Sequence, residues 1–315
     1  MTASSKSLYA VAARPGPALA GPGGRPGRPA GSAEGIVSSL SSRAATPPLL
    51  AVRDVRIRHA PTGRELVRGV SFDLAPGRVV GIVGESGSGK TLTCRAALGI
   101  LPRHLELSGG SIVLAGEDVT TFDEDRWTRE RGSTLAAVFQ DPASYLNPSL
   151  PVGSQVAEVL RVKTGLRRRE ARSRTLELFA SVHLRDPDVV YGQYPFELSG
   201  GMLQRVLIAA AVSAGPRILV ADEATTALDV TVQAEILDLL ADLREGSGLS
   251  LVVVSHDLAV VAQLCDEVLV MRHGEVVEQG QTDRVLHRPE HEYTRLLLAE
   301  HDQFGLDRVL EGRAS

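Results

Sequence analysis

Cysteine is almost absent from this chain. Cys94 and Cys265 are the two in 315 residues, and they stand far apart in sequence. No CxxC pair and no Cys/His cluster can be drawn, which argues against a disulfide framework, a zinc site and an iron–sulfur site, and fits a reducing cytosol. Long apolar runs are missing too. Val206–Val212 and Leu251–Val254 are among the longest, far short of the ~20 residues a membrane span needs. The net charge of -4 gives no global reason to expect nucleic acid as a partner. No NKxD motif is present, which argues against guanine recognition, and no heptads are sustained as a long coiled coil requires.

What is present divides the chain unevenly. Residues 1–47 are rich in Gly, Pro, Ala and Ser, as in Pro22-Gly23-Gly24-Arg25-Pro26-Gly27-Arg28-Pro29. Such a stretch buries too little apolar surface to offset its ordering entropy, so a disordered tail is expected. It has no continuous apolar stretch of the kind a secretory leader carries. From about Leu49 onward, apolar runs mark strands at Ala51–Ile57, Val79–Val83, Leu135–Phe139, Ile218–Ala221, Leu251–Val254 and Val268–Met271. Helical patterns lie between several of them, at Thr91–Ile100, at Met202–Ser213 and around Ile236, Leu240 and Leu243. Strands alternating with helices predict a parallel α/β sheet. Gln155 to Gln193 carries charged helical patterns and no strand, and reads as a helical insertion into that core.

Gly84-Glu85-Ser86-Gly87-Ser88-Gly89-Lys90-Thr91 matches GxxxxGK[ST] completely, after an apolar strand and before a helix. The glycines let backbone N–H groups curl around phosphate oxygens, and the helix N-terminus adds positive partial charge. Lys90 is expected on the β- and γ-phosphates and the Thr91 hydroxyl on Mg²⁺. The alternative is a Gly-rich turn that matches by accident, which the flanking strand and helix disfavour.

Three further strand ends add polar groups to the same edge. Ile218–Ala221 runs into Asp222 and Glu223, the first placed to hold Mg²⁺ through water and the second to polarise an attacking water. Gln140 follows Leu135–Phe139, with an amide that offers an oxygen to Mg²⁺ and an NH₂ to water. His256 follows Leu251–Val254 within contact range of a γ-phosphate. Each alone reads equally well as a solvated strand end; together they read as one site. Ser199-Gly200-Gly201 opens a helix and forms a second N-terminal anion site. Since Gly84–Thr91 already covers the phosphates from its own side, this second site is expected to face nucleotide held by another subunit.

In this order the motifs resemble the nucleotide-binding subunit of an ABC transporter: Walker A at 84–91, Q-loop Gln140, signature Leu198–Met202, Walker B Ile218–Glu223, D-loop Ala227-Leu228-Asp229 and H-loop His256. The resemblance spans roughly Leu49 to Glu300. It implies a RecA-like α/β P-loop core, an antiparallel β subdomain and an inserted helical subdomain at about 141–200, with the cassette over 48–300 and a C-terminal extension over 301–315. It implies ATP and Mg²⁺ as cofactors and a sandwich of two subunits, with Ser199, Gly200, Gly201 and Asp229 on the shared nucleotide. Gln140-Asp141-Pro142, Leu146-Asn147-Pro148, Tyr194–Arg205 and His291-Glu292-Tyr293-Thr294-Arg295-Leu296-Leu297 resemble the peptide/nickel importer group, and Leu92-Thr93-Cys94 to Pro102 its nickel-import member.

That narrower likeness implies an ATPase at the cytoplasmic face of the cell membrane. Its expected partners are two permease subunits, a second ATPase chain and an extracytoplasmic binding protein, with nickel, a metal chelate or small peptides as cargo. The chain departs from the pattern at two places. Met202 replaces the usual Gln of the wider family, and His59 stands where an aromatic usually stacks on adenine. No cysteine follows Cys265, unlike peptide importers of the group with an iron–sulfur extension, and this tilts the cargo reading toward nickel, chelates or small peptides. The competing function class is a soluble, non-transport ABC ATPase.

Overall fold

The computed structural model describes residues 47–225 and 228–302, side chains of the last two apart. The expected tail over 1–47 therefore lies outside the described residues except for Pro47. So do Ala227 of the D-loop and most of the 301–315 extension.

The chain enters through two long antiparallel strands, β1 (Leu50–His59) and β2 (Glu65–Leu74), and then β3 (Val79–Val83) and α1 (Lys90–Ala97). Next come β4 (Leu105–Leu114), β5 (Glu117–Asp118), α2 (Glu124–Glu130) and β6 (Leu135–Phe139). A run of helices follows: α3 (Val152–Thr164), α4 (Arg168–Ser181), α5 (Pro187–Gly192) and α6 (Gly200–Val212). The core resumes with β7 (Ile218–Asp222), α7 (Val230–Ser247), β8 (Ser250–Ser255), α8 (Leu258–Leu264), β9 (Glu267–Arg272) and β10 (Glu275–Gln281), and closes on α9 (Thr282–His287) and α10 (Glu292–Asp302).

Two sheets result. One is antiparallel, in the order β2-β1-β4-β5; the other has six strands in the order β10-β9-β3-β8-β7-β6. All pairings in the second are parallel except the β9–β10 hairpin. β3, β7 and β8 are buried at every residue, which explains why they read as unbroken apolar runs. Successive side chains serve opposite faces. Val79, Val83, Leu219, Ala221, Leu251 and Val253 pack among the helices. Val80, Ile82, Val220, Val252 and Val254 pack against the antiparallel sheet through Val52, Ile57 and Phe72. The α/β core is thus clamped between two apolar layers.

The helical insertion forms as α3, α4 and α5, which pack on one another and reach the core through α6. The first core helix stops earlier than the sequence pattern suggests. Gly99 takes φ 64 beside the Trp127 ring, and the Arg131 guanidinium donates to the Leu98 and Gly99 carbonyls at 3.1 and 2.7 Å. A left-handed glycine and a cation on the last carbonyls are both helix stop signals. β2, β4, β5 and β10 were not visible as strands in the sequence. In β1 the fully buried residues run Val52 then Val55, and in β2 Val67 then Val70, with register shifts in the β1–β2 pairing. Asp54 (φ 46) and Gly69 (φ 84) mark those irregularities, which break the period of two.

Candidate active site

The parallel register places four predicted residues side by side. Val83 pairs with Ser255, Val254 with Asp222, and Asp222 with Phe139. Gly84, His256, Glu223 and Gln140 therefore leave the C-terminal ends of four adjacent strands, where ligands bind in such sheets.

The loop Gly84–Thr91 is shaped by positions that only glycine fills. Gly84 has φ 144, and a Cβ there would overlap the Met271 carbonyl; Gly87 and Gly89 have φ 81 and 103. Lys90 is buried, 4% exposed, and its Nζ donates to the Gly84 and Glu85 carbonyls at 2.7 and 2.9 Å. Burial lowers its pKa, while Glu223 and Asp222 pull it back upward. Thr91 Oγ1 donates to Asp222 Oδ1 at 3.1 Å, tying the loop to β7. Burial raises the Asp222 pKa, opposed by the Thr91 hydrogen bond and reinforced by the Glu223 charge. Ser88 Oγ is buried with no hydrogen-bond partner among the described residues, a polar atom held ready at the turn of the loop. Cys94, one turn into α1, has its thiol pKa pushed well up by burial and by Asp222, so it stays a neutral packing group.

Glu223 is half-buried and adopts φ 52, left-handed backbone that a non-glycine residue rarely takes. Its N–H still donates to the Val254 carbonyl at 3.0 Å. The ladder is thus kept while the side chain is turned out of strand direction, a strained geometry of the kind found at functional positions. His256 and Gln140 are exposed. Beside His256, Asp257 caps α8 by accepting from the Ala259 N–H at 2.8 Å, and Gln233 Nε2 donates to Asp257 Oδ2 at 2.9 Å. Gln233 was not singled out in the sequence, where a helical glutamine carries no signal.

The remaining candidates sit apart from this edge. Ser199 caps α6, its Oγ accepting from the Met202 N–H at 3.3 Å, and Ser199 and Gly200 are exposed. Gly201 lies under Val232, whose Cγ1 would stand 2.6 Å from an added Cβ. Asp229 caps α7 by accepting from the Val232 N–H at 3.0 Å, so the signature turn and the D-loop helix are fitted to each other. His59 ends β1 with Nδ1 2.8 Å from Thr62 Oγ1 and its ring edge-on to His104 at 5.7 Å.

The family model described as ABC transporter matches residues 67–226, just over half of the chain. The chain belongs to the ABC transporter family. Among its relatives, the Agrobacterium fabrum protein named as a peptidoglycan transport ATP-binding protein is 45% identical over 81% of this chain, which spans 47% of that protein's length. The Escherichia coli protein named as a probable D,D-dipeptide transport ATP-binding protein is 45% identical, with 76% of this chain and 74% of that protein covered. An oligopeptide transport ATP-binding protein of Bacillus subtilis is 42% identical, with 80% and 71% covered. A solved dimeric ATP-binding cassette in a post-hydrolysis state with ADP and Pi superposes with a TM-score of 0.66 at 27% identity, covering 74% of this chain and 98% of that one. The chain is an ABC ATPase, which binds and hydrolyses ATP.

The residues present fit a magnesium ion carried by the nucleotide. Mg²⁺ prefers few protein oxygens and completes its octahedron with phosphate and water; the adjoining Thr91 hydroxyl and Asp222 carboxylate offer such a donor set.

Proposed function

We propose that this chain is the ATPase subunit of an importer of peptides, peripheral at the cytoplasmic face of the membrane. Among the described residues no helix is long and apolar enough to cross a membrane, so passage of cargo falls to permease subunits. The observation that carries the reading is the cassette with dipeptide- and oligopeptide-transport relatives at 45% and 42% identity. Those relatives' names give no support to the nickel or metal-chelate cargo that the sequence resemblance implied, and peptide is the cargo proposed here. A second ATPase chain and an extracytoplasmic binding protein complete the proposed system.

In the proposed mechanism the amides of Gly84–Thr91 and the α1 N-terminus cradle the phosphates, and Lys90 swings from loop carbonyls onto the β- and γ-oxygens. Thr91, Asp222 and Gln140 would hold Mg²⁺, which supplies charge neutralisation on the β- and γ-oxygens when bound. Glu223 accepts a proton from the attacking water, and His256 orients that water and the γ-phosphate. Ser199, Gly200 and Gly201 of one subunit, with Asp229, close on ATP held by the other. His59 borders the adenine side. Closure of the pair would drive the permeases between inward- and outward-open states.

Uptake in cells tests this. A strain lacking the chain should regain uptake of labelled di- and oligopeptides with the wild-type protein and not with Lys90→Ala. Restoration of ⁶³Ni²⁺ uptake without peptide uptake would contradict the proposed cargo.

A further inference from the structure

We propose that Tyr293, on the C-terminal helix, is a positioning residue for the phosphate-binding loop: its hydroxyl holds the Glu85 amide and makes ATP affinity depend on how α10 is anchored. The proposal rests on the reading of Gly84–Thr91 as the ATP site.

The contact is specific. The Glu85 N–H donates to Tyr293 Oη at 3.1 Å, across 208 residues of sequence. Strand β3 ends at Val83, so the Glu85 amide lies beyond the sheet ladder. A part-buried amide without a partner is costly, and a phenolic oxygen here supplies one. The carbonyl of the same residue is held by Lys90 Nζ at 2.9 Å. Lys90 has three donors, and each one committed to phosphate is withdrawn from the loop carbonyls. When nucleotide arrives, Tyr293 is thus a side-chain tether on Glu85 that need not be surrendered.

Tyr293 is itself fixed. It is 3% exposed and packs in the main core with Leu297 and Leu298. The Arg272 guanidinium at the end of β9 stands 4.6 Å above its ring, a cation–π arrangement. Its N–H donates to His291 Nδ1 at 3.1 Å, which caps the start of α10. The turn before the helix is pinned in turn by Glu278 of β10, whose carboxylate accepts the Glu290 and His291 N–H groups at 2.8 and 3.0 Å. Glu278 thus anchors the turn that starts α10, Tyr293 projects from that helix, and its hydroxyl meets the loop. Among the described residues, α10 is the last element of the chain, and it meets a loop 208 residues earlier in the sequence.

A residue that only fills the core would be replaced by phenylalanine without consequence for nucleotide. Tyr293→Phe keeps the ring and the Arg272 contact and deletes the acceptor. Binding of a fluorescent ATP analogue to the purified full chain should weaken about tenfold, the usual effect of orphaning one amide. KM for ATP should rise in step while kcat stays within about twofold. Glu278→Gln, which leaves the Tyr293 hydroxyl in place, should weaken binding in the same direction and add little to Tyr293→Phe when combined with it. Affinity within twofold of wild type for Tyr293→Phe, in a protein where Lys90→Ala has lost binding, would overturn the proposal and leave the ATP site intact. Normal binding by Lys90→Ala would instead overturn the site reading beneath it.

Discussion

Thr91 Oγ1 and Asp222 Oδ1 stand 3.1 Å apart, joining the first helical turn after the loop to the end of β7. One residue belongs to the phosphate cradle and the other to the strand that bears Glu223. The hydrogen bond sets the spacing between the loop and the strand end that carries Glu223, the proposed water-activating group. It also keeps a buried carboxylate at that junction at a cost, because Asp222 is only 4% exposed and its pKa is raised.

A carboxyl whose folded pKa lies above its unfolded value binds more protons when folded. Stability therefore falls as pH rises from the ordinary Asp value of about 3.9 through the raised folded pKa, and the penalty is fully present at neutral pH. Asp222→Asn should melt at a higher temperature than wild type at pH 7.5 in the absence of nucleotide, with the gap closing toward pH 4. The same variant should lose Mg²⁺-dependent turnover. Thermal unfolding across pH checks both signs.

At Gly84 the demand is steric. The φ of 144 and the Met271 carbonyl leave no room for a Cβ. Gly84→Ala should cost about 3 kcal/mol or more from backbone strain and overpacking combined, read as a drop of roughly 6–12 °C in melting temperature. Gly87→Ala, where nothing lies within 4 Å of an added Cβ, should cost less stability.

Gln233 holds Asp257, and Asp257 caps the helix that follows His256. Gln233→Ala should lower turnover about three- to tenfold, the worth of one hydrogen bond at a positioning group, and leave ATP affinity unchanged. An affinity measurement beside a steady-state assay separates these outcomes.

The signature turn gives a different split. Ser199 and Gly200 are exposed on the free chain, as a surface awaiting a second cassette would be. Ser199→Arg should bind ATP as tightly as wild type while turnover falls at least ~100-fold, since removal of one stabilising donor costs that much. Parallel loss of binding would place Ser199 at the chain's own nucleotide instead.

The strands that carry the site were legible because their burial on both faces leaves an unbroken apolar run, and their register then fixes which residues share an edge. Gly84–Thr91 was legible because its chemistry dictates residue types at set spacings. Of the antiparallel strands, β1 was legible as Ala51–Ile57, whereas β2 was hidden by the irregularity at Gly69, which puts buried residues three apart. The antiparallel sheet as such was expected only from the family resemblance. Tyr293 lay within a segment recognised for its likeness to peptide importers, but nothing local showed that its hydroxyl meets Glu85; that contact spans nearly the whole cassette. Gln233 and His104 gave no signal for the same reason. Such partners are set by tertiary packing, which local pattern does not encode.

In the proposed mechanism Glu223, turned out of its strand by a left-handed backbone, drives hydrolysis of ATP bound at Gly84–Thr91. Single-turnover hydrolysis of radiolabelled ATP by the purified chain carrying Glu223→Gln tests it most directly. ATP should stay bound with wild-type affinity while the rate of phosphate formation falls by about 10²–10⁴-fold; phosphate formation at a near-normal rate would remove Glu223 from the role of general base.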